Sequence, residues 1–310
     1  MSVAFIFPGQ GTQYPGMLHD LLDDPAVDRT LDEASDALGA DVRSSDSQEA
    51  LRSDVAVQVA LLCAGVSTAR ALMARDIEPT AVSGLSVGAF AAAVIADVLT
   101  LRDGLELVQL RAREMEKLFP RGYGLSAIVG LTESQVTHIV QAATSDQAPV
   151  FVGNINAPRQ IVIAGSNAVM DEVLAEARRQ GAAQAVRLRV SVLSHCPLLK
   201  PVADVLAKRI AAMNLTNPQL TYVGNVSARA LRTKERIADD LVNNIAHGVR
   251  WHDATTVLKE LGCRLFLEMP PGHTLTELAR QNLPGVGSMP VEAPTLPRIL
   301  SFAGREQANT

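Results

Sequence analysis

The chain has 310 residues, of which 47% are hydrophobic and 20% charged, with a formal net charge of −5. That length and apolar content can bury a large core, and the acidic balance argues against a nucleic-acid binder, which needs a positive field to meet phosphates. No wholly apolar run reaches 18 residues, the opening MSVAFIFPGQ has no basic leader, and Cys63, Cys196 and Cys263 are too scattered for a disulfide framework or a metal site, so a cytoplasmic protein with no membrane span is expected.

Residues 3–7, VAFIF, form a continuous apolar run closed by Pro8-Gly9, the pattern of a buried strand opening into a loop. The stretch 54–75 is long and apolar over most of its surface, which predicts a core helix. A short strand over 80–84 is followed by an Ala-rich run from Ser86 to about Asp97 that reads as helix. A further amphipathic helix covers roughly 100–118 and ends at Pro120 and Gly122.

The middle of the chain changes character. Ser126–Gly130 reads as a strand, and Thr132-Glu133-Ser134-Gln135 as a capping box opening a helix to about Ala143. Strands near 149–153 and 160–164, joined around Asn154–Arg159, precede a helix from about Asn167 to Gln180 that Gly181 stops. Gln184–Val190 is the last strand. The order β-α-β-β-α-β is the ferredoxin-like unit. The expected fold is therefore α/β, with 125–190 as a ferredoxin-like subdomain inserted into a discontinuous core of 1–124 and 191–310, and a ligand cleft between the two bodies. From Arg178 to Arg209 the bases Arg178, Arg179, Arg187, Arg189, Lys200, Lys208 and Arg209 face one acid in that window, Asp204. Such an excess could greet an anionic partner, or simply be a solvated face.

Gly84-Leu85-Ser86-Val87-Gly88 matches G-x-S-x-G between a strand and a helix, the setting of a nucleophile elbow. It would lift Ser86 to a helix start, where unpaired N–H groups favour a developing oxyanion. A serine needs a base. Of six histidines, His138 falls in the inserted helix and His19 in an acidic segment; His195, at the junction after the insert, competes with His247, His252 and His273. The loop Pro8-Gly9-Gln10-Gly11-Thr12-Gln13 could offer a second oxyanion donor, since glycines admit close backbone approach.

FPGQGTQ at the start, GLSVG, LRAREM at 110–115, NINAPRQIVIAG at 154–165 and VSVLSHCPLLKPVAD at 190–204 together resemble the malonyl-CoA:acyl-carrier-protein transacylases, in that family's order and over almost the whole chain. The resemblance implies an α/β-hydrolase-like core with a ferredoxin-like insert, and ping-pong malonyl transfer through a serine ester. It implies no permanently bound cofactor, malonyl-CoA as substrate, and CoA and an acyl carrier protein as partners. By position it assigns Ser86 as the acylated nucleophile and His195 as the base, the latter held by main-chain carbonyls, one of them Arg250's. It assigns the N–H groups of Gln10 and Val87 to the oxyanion hole, Arg111 to the substrate carboxylate, and Asn154 and Asn156 to the insert side of the cleft. A permanently charged planar fork suits a carboxylate.

Leu85 stands where fatty-acid-synthesis members usually carry histidine, and His247-Gly248 where the family has Asn-Pro. GLSVGAFAAAV and FPGQGTQYPGMLHDL are most similar to the acyltransferase (epsilon) subunit of malonate decarboxylase. That likeness implies a carrier subunit with a dephospho-CoA-derived arm as acceptor, with a fatty-acid or polyketide carrier as the alternative. A serine thioesterase would place an acid between Ser and His, for which Asp97, Asp103, Asp146 and Asp171 are the candidates.

Overall fold

The structure is a computed structural model describing residues 2–118, 121–188 and 192–307, with 303–307 as main chain only. Strand β1 (Ser2–Phe7) sends Phe5 and Phe7 into one core and Ala4 and Ile6 into another. A strand buried on both faces has no polar alternation, hence the unbroken VAFIF. Helix α1 (Pro25–Leu38), not anticipated above, is capped by Asp24, which accepts from Ala26 N, begins at Pro25 and stops at left-handed Gly39. Helix α2 (Asp54–Met73), strand β2 (Ala81–Gly84), helix α3 (Gly88–Ile95) and helix α4 (Leu101–Leu118) follow close to the expected bounds. With a mean hydropathy of 1.7, α2 is long and apolar enough to cross a bilayer. It is instead the central core helix, packed against α1, α3 and α4. Pro120 lies outside the described residues.

The insert comprises β3 (Tyr123–Val129), α5 (Glu133–Ala143), β4 (Val150–Ala157), β5 (Gln160–Ser166), α6 (Asn167–Arg179) and β6 (Gln184–Arg187). Its antiparallel sheet has the order β4-β5-β3-β6, the ferredoxin-like arrangement. The capping box forms at α5, with Thr132 and Gln135 bonding reciprocally. One expectation changes: Asn154–Ala157 are strand rather than connection, because two register shifts keep β4 paired with β5 up to Ala157. Ile128, Val136, Ile161, Met170 and Val173 bury one face under α5 and α6. Leu125, Val162 and Ala164 turn the other face into the main core. Two further bonds stitch β4 to the main body: Val249 N donates to Gly153 O and Ile155 N to Val249 O, each at 2.8 Å. Arg189, Val190 and the expected boundary at residue 191 lie outside the described residues.

The chain then supplies α7 (Lys200–Ala211), β7 (Thr221–Val223), β8 (Ala230–Leu231), α8 (Lys234–Asn243), α9 (Trp251–Glu260), β9 (Cys263–Glu268), α10 (Thr274–Asn282), β10 (Gly287–Pro290) and α11 (Leu296–Gln307). The large sheet runs β10-β9-β1-β2-β7-β8, parallel except for β8. Helices α2, α3, α4, α7 and α8 contribute to the core on one face, and α9 and α10 to that on the other. This is an α/β-hydrolase-like core carrying a ferredoxin-like subdomain, with β2 near the centre of the sheet and the elbow at its C-terminal end.

Folding disperses the basic stretch. Arg179 pairs with Glu176, Arg187 with Asp171, Lys200 with Asp204 and Arg209 with Glu106, while Arg178 donates to Ala185 O. Acids from outside the window pair with three of the seven bases and Asp204 with a fourth, so the solvated-face reading describes these side chains better than a single cationic patch.

Candidate active site

The elbow is built by close approach. A Cβ on Gly84 would sit 2.0 Å from Gly88 C, and one on Gly88 would sit 2.3 Å from Phe7 O. Both obstacles are backbone and cannot move aside, so β2 can turn into α3 this tightly only through two glycines. Between them Ser86 is held at φ +56°, in the left-handed region. Gly84→Ala is expected to cost about 3 kcal/mol or more, read as a lower urea midpoint or loss of soluble protein. Gly287→Ala, where the added carbon meets Leu265 at an ordinary 3.4 Å, should change stability by roughly 0.5 kcal/mol or less.

Ser86 Oγ lies 2.8 Å from His195 Nε2. The other ring nitrogen, Nδ1, is 2.6 Å from Asn244 O. A carbonyl only accepts, so Nδ1 carries the proton and Nε2 is left to accept from the Ser86 hydroxyl. The sequence separation of 109 between serine and histidine is spanned by α3, α4, the insert and the segment leading to α7. His195 N also donates to Ile245 O at 2.8 Å. Burial first, and then the charge of Arg111, pull the imidazole down to about 4, against the opposing pull of main-chain hydrogen bonds.

Arg111, on α4, is fully buried. Its Nη2 donates to Ser86 Oγ at 3.0 Å and its Nη1 to Gln58 Oε1 at 2.9 Å, while Nε has no partner. Gln58 Nε2 reaches Gln10 Oε1 at 3.2 Å, and Gln10 Nε2 reaches Asp54 Oδ1 at 2.8 Å. Burial pulls this guanidinium down to about 10, with Asp54 opposing, so it remains a cation at neutral pH.

The glycine loop crosses the elbow: a Cβ on Gly9 would lie 2.9 Å from Leu85 O and 3.6 Å from Ser86 Cβ. That brings the loop bearing Gln10 up against Ser86, which Val87 follows. Asn154 and Asn156 lie on β4, each with a buried Oδ1 lacking a partner, next to Gly153, where an added Cβ would be 3.7 Å from His195 Cβ. Arg250 is not where the resemblance put it. Its carbonyl closes the first turn of α9 by accepting from Ala254 N, and its side chain pairs with Asp253 and Glu133. The main-chain groups that meet the imidazole are those of Asn244, at the end of α8 with its carbonyl 2.6 Å from Nδ1, and of His247. Three residues that carried no motif complete the centre: Gln58, Asn225, whose Oδ1 accepts from Ser86 N at 2.9 Å, and Asn244. Gln58 left a trace, a lone amide within the apolar run VAVQVALL. Cys196, beside the base, is buried and its thiol is pushed up to about 12, mainly by burial, which makes it inert packing. Among the described residues no group of three His, Cys, Asp or Glu could hold a metal ion.

The family model described as Acyl transferase domain matches residues 4–298. The chain belongs to this acyltransferase family. The Malonyl CoA-acyl carrier protein transacylase of Escherichia coli strain K12 is 35% identical to this acyltransferase over 284 residues, covering 90% of this chain and 92% of that one. The protein of the same name from Bacillus subtilis strain 168 is 30% identical, covering 90% of each. Among solved structures, the acyl-carrier-protein S-malonyltransferase of Burkholderia pseudomallei superposes with a TM-score of 0.92 at 34% identity, covering 97% of this chain and 100% of that one. A malonyl-transacylase in complex with a type II PKS acyl-carrier protein superposes at 0.89 and 33% identity, covering 94% of this chain and 96% of that one. The acyltransferase fold and the Ser86–His195 geometry thus occur together in one chain.

Proposed function

We propose that the chain moves a malonyl group from malonyl-CoA to the thiol of an acyl carrier protein by way of a malonyl ester on Ser86. The observation that carries this reading is a fully buried guanidinium 3.0 Å from the nucleophile's oxygen. In a malonyl thioester one methylene separates the reacting carbonyl from the free carboxylate. An anchor for that carboxylate must therefore sit within a few ångströms of the attacking atom, as Arg111 does. Ser86 Oγ attacks the thioester carbon while His195 Nε2 takes its proton, then returns it to the departing CoA sulfur. The oxyanion falls to the N–H groups of Gln10 and Val87, each such donor contributing about 3 kcal/mol. The carrier thiol repeats these steps against the ester, with His195 again as base. We take 125–190 as one wall of the cleft and the core of 1–124 and 191–310 as the other, with the unpaired Oδ1 atoms of Asn154 and Asn156 accepting from the amide-rich arm of CoA or carrier.

The named relatives favour a carrier of the fatty-acid or polyketide type as acceptor. A second reading, loading of a malonate decarboxylase carrier with a dephospho-CoA-derived arm, has the stretches GLSVGAFAAAV and FPGQGTQYPGMLHDL, with Leu85 in the first, in its favour. A transfer assay offering both carriers separates them: faster loading of the phosphopantetheine carrier supports the first, and faster loading of the other supports the second. Hydrolysis is disfavoured because the partner of His195 Nδ1 is a neutral carbonyl rather than a carboxylate. Incubation with malonyl-CoA is expected to add one malonyl mass to the intact protein, mapped to Ser86 and absent from Ser86→Ala. An adduct elsewhere, or free malonate released as fast as malonyl-carrier forms, would sink the transfer reading.

A further inference from the structure

Asp240, on α8, is 3% exposed and belongs to none of the groups assigned above. Its carboxylate grips two successive main-chain N–H groups, Asn225 N on Oδ2 and Val226 N on Oδ1, both at 3.0 Å. The preceding residue must be glycine, since a Cβ on Gly224 would lie 2.7 Å from Asp240 Oδ1. The loop after β7 is thereby fastened to α8. Fastened this way, the Asn225 carboxamide spans the elbow: Oδ1 accepts from Ser86 N at 2.9 Å, and Nδ2 donates to Gly84 O at 2.8 Å. The Ser86 N–H is thus occupied by a protein acceptor, which leaves the oxyanion to other donors. One turn beyond, Asn244 N donates to Asp240 O at 2.9 Å, and Asn244 O holds the imidazole.

We propose that Asp240 is a positioning residue for acyl transfer: acting through Asn225, it holds the left-handed Ser86 turn in place, so that one turn of α8 sets nucleophile and base together. Strain at such a turn persists only where its surroundings over-determine it: the Asn225 bridge holds the entry to this turn, and Asn244 Nδ2, donating to Ser86 O at 3.4 Å, holds its exit. A carboxylate is required because it accepts from both N–H groups at once. An asparagine in its place offers one oxygen and turns an NH2 against the other donor. Without the anchor the carboxamide swings, the elbow relaxes, and Ser86 Oγ drifts off the line to His195 Nε2.

This inference rests on the reading that Ser86 is the acylated residue, so the experiment separates the two. Rapid-quench acylation by malonyl-CoA and by acetyl-CoA is measured for the parent protein, Asp240→Asn, Asn225→Ala and the double variant, each with its unfolding midpoint. Each single variant should acylate roughly 10- to 100-fold more slowly, by the same factor for both donors, since a misplacement of about 1 Å can cost about 10²-fold. The KM for malonyl-CoA should stay within about twofold. The double variant should be no slower than Asn225→Ala alone, because residues acting through one another are non-additive. Losses that multiply, or a lowered midpoint with an unchanged acylation rate, overturn the role of Asp240. Should Asp240→Asn fail to fold, Asn225→Asp carries the test: it keeps an acceptor for Ser86 N but sets an oxygen against Gly84 O, and a parental rate would refute the inference. Acylation of the Ser86→Ala protein would instead remove the nucleophile reading itself.

Discussion

His195→Ala is expected to slow Ser86 acylation by roughly 10³-fold, within the range that a positioned general base contributes. The loss should fall on kcat rather than on KM, because the imidazole touches the reacting hydroxyl and not the CoA arm. The parent protein's pH profile supplies the sign. His195 works only when neutral, and burial together with Arg111 has pulled it down to about 4. Acylation should therefore stay level from neutral pH to about 5 and fall as the pH drops through about 4, rather than near the ordinary histidine value of about 6.5. An acid limb centred near 6.5 would show that the base sits in a wetter setting. Stability follows the same group in the same direction. The unfolded chain takes up a proton near pH 6.5 that the folded protein refuses until about 4, so this contribution is complete above 6.5 and is lost as the pH falls through that window.

Arg111→Ala is expected to reduce kcat/KM with malonyl-CoA on the order of 10²–10³-fold more than with acetyl-CoA, because truncating one partner of a buried charge pair costs about 2–5 kcal/mol. Acetyl has no carboxylate to lose its partner, so its loss reports only the bond from Arg111 to Ser86 Oγ. The same variant removes a cation from beside the imidazole, and the acid limb should move upward in pH. Equal losses with both donors would take the carboxylate away from Arg111 and leave it as a support for the serine. Arg111→Lys should recover little of the malonyl rate, since an ammonium cannot bond Gln58, Ser86 and a carboxylate with one planar fork.

The sequence patterns that foretold the fold are those enforced by local physics. VAFIF, the capping box at Thr132 and the two glycines of the elbow each report a constraint satisfied within a few residues. Helix α1 is equally local, with Asp24, Pro25 and Gly39 at its ends and Ala26, Val27, Thr30, Leu31 and Ala34 buried at helical spacing between them. The extent of β4 was not local at all: Asn154–Ala157 look like a polar turn until β5 and Val249 pair with them. In the site, Ser86 is legible from its own neighbours, whereas His195 stood level with three other histidines until the family pattern favoured it. Asn225 is 139 residues from the serine whose N–H it binds, and Asn244 acts through its carbonyl, which any residue type could supply. No spacing rule finds either. The misassignment of a carbonyl to Arg250 has the same origin, since only the course of the backbone decides which oxygen lies under a ring.

The pair of bonds between β4 and Val249 bears on how a bulky thioester gets in and out. They lie one residue to each side of Asn154, on the strand that passes His195. A rigid swing of the inserted sheet must either rupture both or turn about them as a hinge pin. In the second case the far margin at β6 travels furthest while the margin nearest the imidazole scarcely shifts, so the doorway widens without disturbing the catalytic hydrogen bonds.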